Sequence, residues 1–352
     1  MTGRAKTHSA LVIANGAKEK CGNLAKIVAI CFPTPFKRRR SIIECGVKSM
    51  EKSYAKQKKM IKLRRNLFIL GMLSIALINF LVFWVYVNVD SILMAFQINT
   101  RQGVEWTLDN FSRFFKEVKM PEFELGLAIE NTLLLYLVGT VIGLPLSFLF
   151  AYYLFKKVPL SSAFRVVFFL PSIISAAVLV TLFKYIVAPS GPFNELLSVF
   201  TGKEMYIEWV TDELYSMKTI LFYVLWTGFG GNIVLLSGAI FRIPEDVLEY
   251  AKIDGVGMTR ELFSIIVPLV WPTFSTLVIC ATAGLFSNMG PVLLFTEGQF
   301  KTMTLGYFIF DKVSVGQYNY PSAIGLIFTF VGMPIVLFVK WAMDKAFETI
   351  EY

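Results

Sequence analysis

Apolar residues gather along this chain in long unbroken stretches instead of alternating with polar ones. Runs of about 18 or more residues with few charges read as membrane-spanning helices. Six such runs are present, at 67–87, 131–154, 166–187, 219–240, 264–287 and 322–339. The runs 67–87, 131–154, 219–240 and 264–287 contain no Asp, Glu, Lys or Arg. They are too long and too continuous for the alternating segments of roughly 10 residues that build a membrane barrel. With no water to satisfy the backbone, helices are the remaining solution. The pattern predicts an all-α polytopic membrane protein with six transmembrane helices.

Charge then orients the chain. Residues 1–65 carry 17 Lys and Arg against Glu19, Glu44 and Glu51, whereas the remainder carries 17 basic and 22 acidic residues. Basic segments next to a span stay in the cytoplasm. Residues 1–65 are therefore read as a basic cytoplasmic tail, 66–88 as the first span and 89–130 as an extracytoplasmic loop. A core over 131–343 holds the other five spans, and 344–352 forms a short cytoplasmic tail, so both termini lie inside. The link 155–165, with Lys156, Lys157 and Arg165, also falls inside. The segments 188–218 and 288–321 fall outside and carry acids such as Glu208, Asp212 and Asp311. The tail composition fits a disordered segment or an over-extended start, with Met50 and Met60 as later starts. Its charge suits anionic lipid headgroups, and no aromatic interleaving around "KRRR" at 37–40 suggests nucleic acid.

Little chemistry is on offer. The lone histidine is His8, and Cys21, Cys31, Cys45 and Cys280 have no metal-ligand spacing. No phosphate-binding loop of the G-x-x-x-x-G-K-[ST] type occurs. Neither a cofactor nor a metal site nor a catalytic constellation is expected. "GFGGN" at 228–232 and "GTVIG" at 139–143 read as close helix packing.

One segment does not fit a simple bundle. "EYAKIDGVGMTRELFSIIVP", residues 249–268, is charged, broken by glycines and stopped by a proline between two apolar runs. Pro244 suits the first position of a helix, and Glu245 and Asp246 suit its positive end. Gly255 suits a left-handed cap, with Gly257 keeping the turn open. Thr259 suits the cap of a second short helix, and Pro268 a kink or restart of the next span. Three acids against two bases disfavour a helix lying on lipid headgroups. Two short helices at a bend, held by spans on both sides and presenting Ala251 for close approach of another protein, are suited to transmit a push.

These residues resemble the EAA loop of binding-protein-dependent ABC importer permeases. Glu249-Tyr250-Ala251, Gly255, Ile265, Val267 and Pro268 keep every spacing of that pattern, with Tyr250 and Val267 replacing its usual Ala and Leu. "IPEDVLEYAKIDG" and "FRVVFFLPSIISAAVLVTLFKYI" resemble the carbohydrate branch, and an early first span resembles the larger maltose-type permease subunit. The resemblance implies the type I importer permease fold, with 241–263 as the coupling loop. It implies two copies of a separate ATPase, a second permease subunit that makes the pair heterodimeric, and an extracytoplasmic solute-binding protein. Glu249, Ala251, Asp254, Gly255 and Pro268 would then couple to the ATPase. On the substrate path, Asn232 and Asn288 are candidates for a polyhydroxylated solute because polar residues in spans face the bundle interior. Tyr223, Trp226 and Phe229 share one helical face and could stack on sugar rings. Lys184 would snorkel to the outer surface. A peptide, a polyamine or a glycerol-phosphate-type solute is the alternative cargo, and a self-sufficient secondary carrier is the alternative class.

Overall fold

A computed structural model describes residues 36–100, 103–120, 124–156, 159–204 and 206–346. It divides into two units, 1–85 and 86–352. The first contains helix α1 (Phe36–Asn79) and the start of a π-helical turn, Phe80–Tyr86. The expected tail thus lies outside the described residues up to 35, and 36–65 is helical. Pro35 precedes the helix, and Lys, Arg, Met and Glu, all good helix formers, recur through its first half. From Leu67 to Trp84 its large apolar side chains are exposed, as a lipid-facing helix requires.

The second unit follows with α2 (Val87–Ala95), the hairpin β1 (Gln97–Thr100) and β2 (Gly103–Trp106), α3 (Asp109–Lys119) and α4 (Glu124–Leu137). A π turn at Val138–Gly143 joins α4 to α5 (Leu144–Phe155), then come α6 (Ser161–Ile173), α7 (Ala176–Ile186), α8 (Pro192–Thr201) and α9 (Ser216–Ile240). After these come α10 (Glu245–Ile253), α11 (Met258–Glu261), a π turn at Leu262–Ile266 and α12 (Val267–Ala283). The chain closes with α13 (Gly290–Phe295), α14 (Leu305–Ser314) and α15 (Asn319–Ala346). Among the described residues, five helical stretches are long and apolar enough to cross a membrane: Lys56–Ala95, Glu124–Phe155, Ser216–Ile240, Met258–Ala283 and Asn319–Ala346.

The sixth expected span is broken. Where 166–187 is expected to cross as one span, the segments Ala163–Ile173 and Ala176–Ile186 are bent by 115° from each other. Pro171 removes a backbone donor inside α6. Ile174 and Ser175 then turn to extended geometry, and no side chain caps the new start. The expected outer loops are also more ordered than read. In 89–130, β1 and β2 pair antiparallel from Gln97 opposite Trp106 to Thr100 opposite Gly103. Asn110 Nδ2 fastens that hairpin by donating to the carbonyls of Ala95 (3.1 Å) and Gln97 (2.9 Å). In 188–218, α8 is held by Asn194, whose Nδ2 reaches the Ile207 carbonyl at 3.0 Å and whose Oδ1 accepts from Trp209 Nε1 at 3.0 Å.

The core of this unit forms two apolar clusters. One gathers Leu125, Leu135, Phe183, Ile220, Tyr223, Phe295 and Phe308. The other gathers Phe148, Tyr152, Phe229, Ile233, Leu236, Leu248, Leu262 and Ile266. Gly230 makes the α9–α6 crossing possible: a Cβ there would meet the Phe168 carbonyl oxygen at 2.8 Å and Ser172 Cβ at 3.1 Å. The close-packing role read into "GFGGN" belongs to this residue, because Gly228 and Gly231 meet nothing within 4 Å.

Candidate functional site

A cavity of about 370 Å³ lies among α4, α5, α9 and α12. Its wall residues overlap the zone where, along both α4–α5 and α9, one apolar cluster gives way to the other. Leucines and glycines supply most of the surface, while Thr132, Tyr136, Thr140, Asn232, Asn288 and Cys280 supply polar atoms. Such a mixture, a largely apolar wall with a few placed polar groups, is the usual make-up of a small-molecule site. Thr132 Oγ1 is already engaged, donating to the Ala128 carbonyl at 2.6 Å and accepting from the Leu305 N–H at 2.9 Å. Tyr136 Oη lies 2.8 Å from Thr282 Oγ1, tying α4 to α12.

The sequence pointed to five residues that could meet the solute, and the structure separates them. Asn232, on α9, and Asn288, in the link after α12, line the same cavity. Tyr223 does not: it is buried with its ring 4.8 Å from Phe295 and 5.3 Å from Phe183. Trp226 packs on the same aromatic group, 6.0 Å from Phe183. Phe229 belongs to the other cluster, against Phe150 and Phe168. Edge-to-face packing, not an open stacking surface, accounts for this stripe. Lys184 is half-buried with its ammonium 5.8 Å from the Phe295 ring, a cation–π distance.

The second feature is the elbow between α9 and α12. Pro244 is extended and stands just ahead of α10, one residue earlier than its expected place, its carbonyl accepting the Val247 N–H at 3.1 Å. Glu245 and Asp246 occupy the first turn as expected. At the other end Gly255 takes φ +70°. Its N–H reaches the Lys252 carbonyl at 3.1 Å, and the Val256 N–H reaches the Ala251 carbonyl at 3.0 Å. That pair of bonds is the Schellman ending, which a left-handed residue makes possible.

Gly257, not Thr259, precedes α11, because its extended backbone leaves its carbonyl to accept the Glu261 N–H at 2.9 Å. Pro268 neither kinks nor restarts the helix strongly. The wider π turn just ahead of it absorbs the missing donor, and Met258–Ala283 runs as one helix.

The elbow's faces differ from the expectation at one residue. Ala251 is only 6% exposed, covered by its own chain, so its small side chain serves the fit of α10 onto this unit. Leu248 is buried beside it in the second apolar cluster. The open face holds Glu249, Lys252, Asp254 and Gly255, with Tyr250 and Ile253 exposed by 68% and 79%. Both side chains stand bare on a charged helix. Composition alone did not single them out, although Tyr250 stands where the loop pattern usually has Ala.

Two contacts that sequence reasoning missed tie the elbow down. Lys156 Nζ lies 2.6 and 2.7 Å from the two Glu261 carboxylate oxygens, and Tyr152 Oη donates to the Met258 carbonyl at 3.2 Å. The opposite charges at the end of α5 and in α11 were visible in the sequence, but nothing there placed them together.

Comparison with known proteins gives this geometry a context. A family model described as "binding-protein-dependent transport system inner membrane component" matches residues 143–346. The chain is 31% identical over 139 residues to the probable ABC transporter permease protein YurN of Bacillus subtilis (strain 168). That alignment takes in 39% of this chain and 48% of YurN, so it spans about half the relative's length. To the polygalacturonan/rhamnogalacturonan transport system permease protein YteP of the same organism it is 26% identical, over 84% of this chain and 93% of YteP. Among solved structures, one chain of a bacterial alginate ABC transporter, in complex with alginate pentasaccharide-bound periplasmic protein, superposes with a TM-score of 0.71. The identity is 22%, with 82% of this chain and 98% of that chain covered.

Proposed function

The chain belongs to the family of binding-protein-dependent transport system inner membrane components, and from that premise we propose that it is a permease subunit of an ABC importer for an oligosaccharide. The observation that carries the reading is the elbow: a short capped helix, open on Glu249, Tyr250 and Ile253, fixed between two helices that both line the cavity. It faces the cytoplasm and seats in a separate ATPase subunit, two of which close around ATP. Glu249 supplies a charged contact, Tyr250 and Ile253 the apolar ones, and Gly255 the bend. Asp254, also exposed, lies at the rim of that contact.

The cavity is one part of the path, completed by a second permease subunit. Asn232 and Asn288 hold hydroxyl groups of the solute, which an extracytoplasmic binding protein delivers. YteP and the alginate transporter support a carbohydrate cargo, since the name of one refers to polygalacturonan and rhamnogalacturonan and that of the other to alginate. Switching between inward- and outward-facing states needs the two to lie within a few kcal/mol, so that ATP binding can bias them.

The test is to purify this chain in mild detergent from its native membranes and identify what accompanies it. An ATPase with a phosphate-binding loop together with a second permease supports the proposal. A stable, monodisperse chain with neither overturns it.

A further inference from the structure

We propose that Lys156 and Glu261 form the joint through which movement of the elbow reaches the cavity wall built by α4 and α5. The inference rests on the coupling role proposed above and names residues that role did not include. Glu261 ends α11, and its carboxylate is 5% exposed; Lys156, directly after α5, is 23% exposed. The two are 105 positions apart and meet at 2.6 Å. Among the described residues this is the one ion pair that joins the elbow to a helix lining the cavity. Tyr152, one turn back along α5, adds its hydrogen bond to Met258 and offers its ring 5.7 Å from the Lys156 ammonium.

The topology makes the placement consequential. The elbow continues through the π turn at Leu262–Ile266 directly into α12, so that wall follows it covalently. The opposite wall, with Thr132, Tyr136 and Thr140, sits on a helix that ends at the far side of the pair. Without the pair, α4–α5 would be driven only through apolar packing, which can slip, and through the uncharged Tyr152–Met258 and Tyr136–Thr282 hydrogen bonds. The pair holds its geometry because separating the partners leaves the Glu261 carboxylate buried and uncompensated. Lys156 and Glu261 are thus positioning residues: they touch neither solute nor ATP.

The test uses the complete transporter in lipid nanodiscs. In this chain Cys21, Cys31, Cys45 and Cys280 are changed to Ser, and Thr140→Cys places a thiol in the wall of α4–α5. The readout is the labelling rate of that thiol by a water-soluble maleimide, with and without ATP plus vanadate. The unsubstituted pair shows a rate that changes on trapping. Lys156→Glu loses that change while the ATPase still co-purifies and hydrolyses ATP, and Lys156→Glu combined with Glu261→Lys regains it. A Lys156→Glu chain that responds in full, while Gly255→Pro has lost the response, overturns the joint and leaves the coupling reading standing. A response that survives Gly255→Pro, or is absent with the pair intact, defeats the coupling reading and the joint with it. Should Lys156→Glu fail to reach the membrane, the swapped pair decides: a swapped chain at normal level without the response overturns the proposal.

Discussion

The hydroxyls of Tyr136 and Thr282 meet at 2.8 Å, joining α4 to α12 across 146 positions of sequence at the edge of the cavity. Hydrogen bonds between membrane helices average about 0.6 kcal/mol by double-mutant cycles. A cycle of Tyr136→Phe and Thr282→Val should therefore show a coupling of about that size in detergent unfolding. Additive effects of the two substitutions would mean that the helices are held without this bond.

Gly230 and Gly231 are neighbours with opposite expectations. An added methyl at Gly230 meets backbone of α6, which cannot turn aside, whereas one at Gly231 meets nothing within 4 Å. Gly230→Ala should destabilise by about 1–3 kcal/mol, the range for overpacking. Gly231→Ala should be tolerated. Membrane level and melting temperature of the two variants check this directly.

At the elbow, Gly255→Pro cannot adopt φ +70° and also removes the N–H that bonds to Lys252. Insertion should be normal and uptake abolished. Glu249→Arg and Ile253→Asp change only the open face, so each should lower recovery of the ATPase subunit without lowering the amount of this chain. Unchanged recovery in both would remove the elbow as the contact surface.

Asn232→Leu and Asn288→Leu should raise the solute concentration needed for half-maximal uptake while leaving protein level unchanged. Tyr223→Ala should act differently. Its ring is buried in aromatic packing, so truncation should destabilise the fold by about 3–5 kcal/mol, as large aromatic-to-Ala changes do.

These contrasts show what the sequence carried and what it did not. The long charge-free runs at 131–154, 219–240 and 264–287 were legible because hydrocarbon leaves the backbone no other choice. Gly255 was legible for a similar reason, since few residues tolerate its conformation. The break at Ile174 was not, because Pro171 inside an apolar run does not by itself say whether the helix kinks or turns sharply away. Helical spacing put Tyr223, Trp226 and Phe229 on one face, yet spacing does not say what that face meets. Ala251 was misread for the same reason: smallness permits close approach, and its own chain is what approaches. Asn232 reaches the cavity because a polar side chain in an apolar span turns inward, and Asn288 reaches it from the link after α12. The Lys156–Glu261 pair depends wholly on tertiary placement.

The most direct test is transport itself. The chain, its partner permease, the ATPase subunit and the binding protein are reconstituted into liposomes, and uptake of a panel of labelled oligosaccharides is followed. The account predicts accumulation of at least one oligosaccharide only when ATP is present on the ATPase side and the binding protein on the other. Accumulation by this chain alone, driven by a proton or sodium gradient and indifferent to ATP, would contradict it.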